Sequence, residues 1–428
     1  MKSRLQLSPH NHIFNRLQSI TALLISFGIM CFGHALLNTV VGLRATAEGY
    51  SDLAIGLIAS AYFVGFIFGT MICAPLISKV GHIRTFGIFA SAASAVTLGL
   101  AIYVEPVSWI FARLVYGACI AALYMVMESW LNLICKNHER GQILSFYTIT
   151  NYTAMAIGQA LIYFASPDSF TLFAAASIFL SMALIPLSAS QTPQPVEIEV
   201  EHFSLKKLFV TSKLATVGCF STGAIMGSFW GIGAVFLSRI GMTNPQVALF
   251  IGVMYMGSMA LQWPIGYFSD KLGRRQMIVA MEVLAIGIAL FLFFTPFNGT
   301  SGALWKYLIA ALFFGGVNNA LHSLFIALVN DYLRPGQVVK ASGTLLNINA
   351  TGAIIGPLLA TMVISVTSDY GLMLYSAMVS TLILGFAIHQ ILRGQEAPVE
   401  TGDFVAVPRA GFGVSQLYPV EESDQKDK

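Results

Sequence analysis

Charge is scarce in this chain. Asp, Glu, Lys and Arg make up 10% of its 428 residues, where a soluble globular protein carries roughly 25%. Their place is taken by Phe, Gly, Met, Ala, Leu and Ile, and 56% of the residues are hydrophobic. That excludes a soluble globular domain and leaves an all-α polytopic protein embedded in a lipid bilayer. Cysteine is also sparse. The five, Cys31, Cys73, Cys119, Cys135 and Cys219, lie in or at the ends of apolar runs and form no C-x-x-C pair. They read as small packing residues. The sequence has no P-loop, no metal-ligating cluster and no paired catalytic carboxylates. These absences argue against an enzyme and against any cofactor or metal. A net charge of +3 gives no reason to expect nucleic acid. No cleavable signal is expected either: Met1 to Ser19 is polar and basic, and the apolar run behind it is long enough to span.

A spanning helix needs about 20 apolar residues. The runs predict twelve, at 20–43, 53–77, 85–104, 108–133, 142–165, 169–188, 214–237, 246–268, 276–296, 304–329, 341–366 and 371–391. An even number puts both termini on one side. Of the 23 Lys and Arg residues, nineteen fall in the tails and the loops of that side. Three, Arg44, Arg239 and Lys306, fall on the other, and Arg113 lies inside a helix. The positive-inside rule then predicts cytoplasmic termini for a chain in a plasma membrane. The domain reading follows. Residues 1–19 are a cytoplasmic N-terminus, 20–188 a first six-helix bundle and 213–392 a second. Between them, 189–212 is a cytoplasmic linker with Pro193, Pro195, an acidic stretch and a short interfacial helix. The tail, 393–428, is too polar to bury a core and reads as disordered and cytoplasmic.

One short turn organises the rest. Gly266-Tyr267-Phe268-Ser269-Asp270-Lys271-Leu272-Gly273-Arg274-Arg275 joins two apolar runs. A weaker copy, Ala74 to Arg84, keeps Lys79, Gly81 and Arg84 but has Ser78 in place of the acid. Other positions repeat as well: Gly65 with Gly257, Gly117 with Gly315, Asn132 with Asn330, and Gly141-Gln142 with Gly336-Gln337. The pattern G-x-x-x-D-K-x-G-R-R resembles the loop between helices 2 and 3 of the major facilitator superfamily, which recurs between helices 8 and 9. Val80 to Arg84 with Leu261-Gln262-Trp263-Pro264 is similar to the bacterial YcaD-like branch of that family. The resemblance implies two six-helix bundles related by a pseudo-two-fold axis, with a substrate site at their interface near mid-membrane. It implies a monomer that moves a small-molecule substrate by alternating access, with proton coupling left open. An uncoupled facilitator and a transport-inactive receptor or scaffold on the same fold are the rival readings. In helix 5 of the drug/proton antiporters a proline follows the motif glycine. Here Gly158 is followed by Gln159, so the direction of transport stays open.

Few polar residues lie inside the predicted helices, and these are the candidates. Arg113 opens R-x-x-x-G-x-x-x-A, which resembles the family's helix-4 motif. A buried Arg in a membrane helix marks function by default, although one near a helix start can also snorkel outward. Glu128 is either a proton site or a latch for Lys79 or Arg84. Glu282 is expected to pair with Arg274 or Arg275. Asp270, Lys271, Gly273, Arg274 and Arg275, with Gly81 and Arg84, form the expected gate, and Asp331 and Arg334 stand close enough to join it. His34 and Asn38 lie four apart and share a face, as do Asn318 and His322, with Asn319 adjacent. Predicted helices 1, 4, 7 and 10 line the cavity in the family. Substrate contact or coupling is therefore expected from Arg113, His34, Asn38, Glu128, Tyr124, Asn318, Asn319, His322 and Trp230. Asn151, Tyr152, Gln159, Tyr255, Gln262, Asn347 and Asn349 rank behind them.

Overall fold

The structure is a computed structural model that describes residues 9–134, 140–189, 204–333 and 335–393. The acidic part of the expected linker, nearly all of the C-terminal tail, the first residues of the chain and Arg334 lie outside these. The described residues form helices α1 (Pro9–Ala47), α2 (Asp52–Val80), α3 (His82–Ile102), α4 (Pro106–Ile134), α5 (Arg140–Gly158), α6 (Phe170–Met182) and α7 (Leu184–Ala189). A short α8 (Leu205–Thr211) precedes α9 (Lys213–Arg239), α10 (Asn244–Leu272), α11 (Arg274–Phe294), α12 (Ser301–Asn330), α13 (Pro335–Val366) and α14 (Gly371–Leu392). Eleven of the described segments are long and apolar enough to cross a membrane. The fifth predicted span is the exception. It carries Gln142, Ser145, Thr148, Asn151, Tyr152 and Thr153, and it tightens into a 3-10 turn over Gln159–Tyr163. The sixth is broken between α6 and α7, where Pro186 removes the backbone donor that would bond Met182.

Local chemistry sets the ends. The Ser51 hydroxyl accepts from the Ala54 amide at the start of α2, and Thr243 with Gln246 makes a reciprocal cap on α10. Gly81 and Gly273 close α2 and α10 at φ 84° and 95°. Side-chain-bearing residues rarely adopt that backbone. The next helix starts at once in both halves, so the two copies of the turn share one geometry.

Helices in lipid gain little from the hydrophobic effect against one another and pack through small residues instead. A methyl group built on Gly65 would lie 1.8 Å from the Leu114 carbonyl oxygen, and one on Gly117 2.0 Å from that of Tyr62. In the second half, Gly257 meets the Leu312 oxygen at 2.0 Å and Gly315 that of Met254 at 2.2 Å. The α2–α4 and α10–α12 crossings therefore repeat in the same register. The residue before Leu114 is Arg113 and the residue before Leu312 is Ala311, so the repeat places a charge on one side only. Phe68, Met71, Phe111, Trp263 and Leu382 are more than half exposed and supply the apolar outer surface a bilayer covers.

The two halves touch on the face opposite the termini. Gly42 packs on Ala234 and Gly231 on Ala59. The Ser60 hydroxyl donates to the Ile354 carbonyl at 2.7 Å, and Asp52 pairs with Arg239. Nearer mid-membrane, Thr153 of α5 reaches Met259 of α10.

Candidate functional site

Between the halves lies a cavity of about 880 Å3, counting its open side. The first half contributes His34 and Asn38 from α1, Tyr62, Phe63 and Phe66 from α2, Tyr124 from α4, and Asn151, Tyr152 and Met155 from α5. The second contributes Met226 and Trp230 from α9, Tyr255 from α10, Asn319 from α12, and Leu346 and Asn349 from α13. Aromatic faces and four asparagines dominate the described lining, and no Asp, Glu, Lys or Arg belongs to it. Such a wall suits an organic solute with a flat apolar body and a few polar groups.

Arg113 stands directly behind this wall. It does not snorkel, being only 4% exposed. Its NH1 donates to Asn38 Oδ1 at 3.0 Å. Its guanidinium carbon lies 4.6 Å from the Tyr62 ring centre and 5.6 Å from that of Tyr116, within range of cation–π attraction. The contact orients a chain of hydrogen bonds. A guanidinium only donates, so Asn38 must turn its oxygen toward Arg113 and its NH2 toward His34. Asn38 Nδ2 therefore donates to His34 Nε2 at 3.1 Å, and the ring proton sits on Nδ1. From there it reaches the Tyr116 hydroxyl at 3.2 Å. The Tyr62 hydroxyl is 3.4 Å from Nε2.

The other lining groups are held from behind in the same way. Cys31 and Tyr124 both donate to Asn151 Oδ1 at 3.2 Å. Trp230 stacks on Tyr255 with ring centres 4.6 Å apart and planes 12° from parallel. Asn319 Nδ2 meets the Tyr152 hydroxyl across the halves. Asn349 Nδ2 donates to the Cys219 carbonyl at 2.9 Å.

The remaining candidates fall elsewhere. Asn318 and His322 share a face of α12, but it is not the cavity face. Asn318 donates to the Phe314 carbonyl at 2.9 Å, and His322 packs behind Asn349 at 3.3 Å. Asn319, turned about 100° from Asn318 by one helical step, is the residue that reaches the cavity. Glu128 is buried and accepts from the Tyr147 hydroxyl at 2.7 Å, whereas Lys79 and Arg84 are exposed. Glu282 does not join the basic turn. It is fully buried on α11, beside the Ser380 hydroxyl of α14. Arg274 instead pairs with Asp331 at 2.6 Å and with Asp270 at 3.2 Å. Arg275 donates to the Tyr332 hydroxyl, and Lys271 lies 4.4 Å over the Tyr267 ring. These contacts tie α10, α11 and the end of α12 together within one half. Gln159 is turned inward as well, accepting from Thr39 at 2.8 Å, and Gln262 donates to Ser323.

Tyr62 and Tyr116 are not among the residues singled out from the sequence. Their hydroxyls were the available signal, since a buried Tyr needs a partner that a Phe does not.

The Major Facilitator Superfamily model matches residues 23–357 and 240–403. The chain is 24% identical over 377 residues to a protein of Salmonella paratyphi A described as an uncharacterized MFS-type transporter, YcaD, covering 87% of this chain and 96% of that one. Its fold is similar to the crystal structure of the nucleoside transporter NupG, with a TM-score of 0.70, 14% identity and 88% and 99% of the two chains covered. It is also similar to a bacterial homologue of the human lysosomal transporter Spinster in an inward-facing, occupied conformation. There the TM-score is 0.68, with 14% identity and 92% and 100% covered.

Proposed function

This chain belongs to the Major Facilitator Superfamily, and from that premise we propose that it moves a small organic solute through its central cavity by alternating access. The observation that carries the reading is the position of the cavity. It lies between the halves, lined from the middle stretches of helices of both, and both halves furnish polar groups to it. A site on such a seam changes sides when the halves rock. The close packing between halves at Gly42–Ala234, Gly231–Ala59 and Asp52–Arg239 lies on the face opposite the termini, so we read the structure as closed on that face. The charge asymmetry of the sequence makes that face the outer one, with both termini in the cytoplasm. The gate at Asp270, Arg274 and Arg275 then belongs to the cytoplasmic side, where it would close in the opposite state.

The test is a single cysteine at Met155, in a background without the native cysteines, in right-side-out and inverted vesicles. A transporter lets an impermeant thiol reagent reach the cavity from either face. Labelling from one face only would leave a transport-inactive scaffold as the reading.

A further inference from the structure

Arg113 carries a charge that nothing described around it balances. Its contacts are one amide oxygen and two aromatic faces. Its Nε is buried without a hydrogen-bond partner. Among the described residues no carboxylate pairs with it. No Asp or Glu is among the residues described as lining the adjoining cavity, and Glu128 on the same helix is engaged by Tyr147. A guanidinium cannot shed its proton at any accessible pH, and a buried cation without a counter-charge is expensive. Amide oxygens and ring faces lessen that expense without neutralising it. The repeat sharpens the point, because Ala311 occupies the matching position in the second half.

We propose that the balancing charge is the cargo. Resting on the transport reading above, the cavity takes an organic anion with a flat apolar body. Its charged end lies at Asn38 and His34, one side chain from Arg113. Its body lies along the stacked Trp230 and Tyr255 of the other half. On binding, an oxygen of the anion replaces Asn38 Oδ1 as the acceptor for Arg113. Asn38 is then free to turn, and His34 loses the donor that fixes its tautomer. The first half reads charge and the second reads shape, so a bound anion bridges both bodies that must move.

The experiment uses the full-length protein in lipid nanodiscs and three probes that share a ring and differ in charge. Phenylacetate is the anion, phenylacetamide the neutral isostere and phenethylamine the cation. Binding is read as the concentration dependence of the thermal unfolding midpoint. Phenylacetate should bind about tenfold or more tightly than the amide, as a charged hydrogen bond in place of a neutral one implies. Phenethylamine should not raise the midpoint. Arg113→Gln should bring acid and amide to equal affinity, and Trp230→Ala should weaken both alike. Equal binding of the amide or amine by the wild type overturns the proposal. So does an acid preference that survives Arg113→Gln, or an equal shift from sodium chloride at matched ionic strength. Binding of none of the three at about 10 mM, weaker than any useful affinity, overturns it as well. If Arg113→Gln fails to fold, the wild-type order of the three probes decides. The Met155→Cys labelling uses no ligand. A chain that alternates without preferring the anion therefore loses this inference and keeps the transport reading.

Discussion

Arg113 NH1 lies 3.0 Å from Asn38 Oδ1, and that contact sets the direction of the hydrogen bonds that run from Asn38 through His34. It fixes which end of the Asn38 amide faces His34, and so which nitrogen of His34 holds the proton. A side chain on α4 thereby orients two on α1 without itself lining the cavity.

Asn38 is therefore the position to change first. Asn38→Leu removes the hydrogen-bond acceptor of a buried cation and should cost about 1–3 kcal/mol. Asn38→Asp places a carboxylate where the proposed anion binds. It should raise the unfolding midpoint and abolish the stabilisation by phenylacetate. Unfolding midpoints of the two variants, with and without phenylacetate, check both statements. An Asn38→Asp protein that still responds to phenylacetate would contradict the assigned place of the anion.

The glycine crossings give a second prediction, on stability. Gly65→Ala and Gly257→Ala each drive a methyl group into a backbone carbonyl of the neighbouring helix. A helix backbone cannot swing aside as a side chain does, so each should cost at least about 1–3 kcal/mol. Gly287→Ala, on α11 with nothing within 4 Å, should be tolerated and gain up to about 1 kcal/mol of helix propensity. Unfolding of the three proteins in one detergent gives the comparison. Similar losses at Gly65 and Gly287 would refute the packing argument.

These glycines also show what the sequence makes legible. Gly81 with Gly273 and Gly65 with Gly257 stand out because backbone geometry leaves no alternative residue. Arg113 stands out because charge is rare in an apolar run. The cavity wall is harder to read. Four-residue spacing says that Asn318 and His322 share a face, but not which neighbour that face meets; it meets the Phe314 carbonyl and Asn349, while the adjacent Asn319 lines the cavity. Tyr62 and Tyr116 look like packing until a partner for each hydroxyl is seen. Helix ends run past the apolar stretch, to Val80 and Leu272, because Lys79 and Lys271 can remain helical while reaching the interface. The expected pairing of Glu282 is not formed because the nearest basic residues in sequence bond Asp331 and Tyr332, just past the end of α12.

At the basic turn, Arg274 and Asp331 should matter more than Asp270. Both members of the 2.6 Å pair are 3% exposed, whereas Asp270 is 32% exposed and 3.2 Å away. Asp331→Asn leaves a buried guanidinium short of its main counter-charge and should cost about 3–5 kcal/mol. Asp270→Asn should cost about 0–1 kcal/mol. If Asp270 also serves the gate, its substitution should move accessibility toward the inward-open form with little loss of stability. Equal destabilisation by the two substitutions would remove the ranking, and unchanged accessibility in Asp270→Asn would remove the gate.

Orientation is open to a direct check. Cysteines at Ser51 and Asn298 should react with an impermeant thiol reagent added to intact cells, and one at Gln337 should not. Reaction at Gln337 would reverse the assigned sides.

The contact between halves offers a test of motion itself. Asp52 and Arg239 form an ion pair across the seam, but at 24% and 29% side-chain exposure it is worth about 0–1 kcal/mol. Its loss alone should shift the balance of states by no more than about fivefold. A covalent bond is a stronger instrument. A methyl group on Gly42 would lie 3.0 Å from the Ala234 Cβ, slightly inside the spacing of about 3.5–4.5 Å that a disulfide prefers. Gly42→Cys with Ala234→Cys should therefore cross-link under mild oxidation after a small parting of α1 and α9. The bond would hold the outer face shut. Combined with Met155→Cys, it should restrict labelling of the cavity to reagent added on the face that bears the termini, and reduction should restore labelling from both. Unaltered access from the outer face in the oxidised protein would mean that solute reaches the cavity without parting of α1 and α9. Rocking of the two halves would then not be the route of transport.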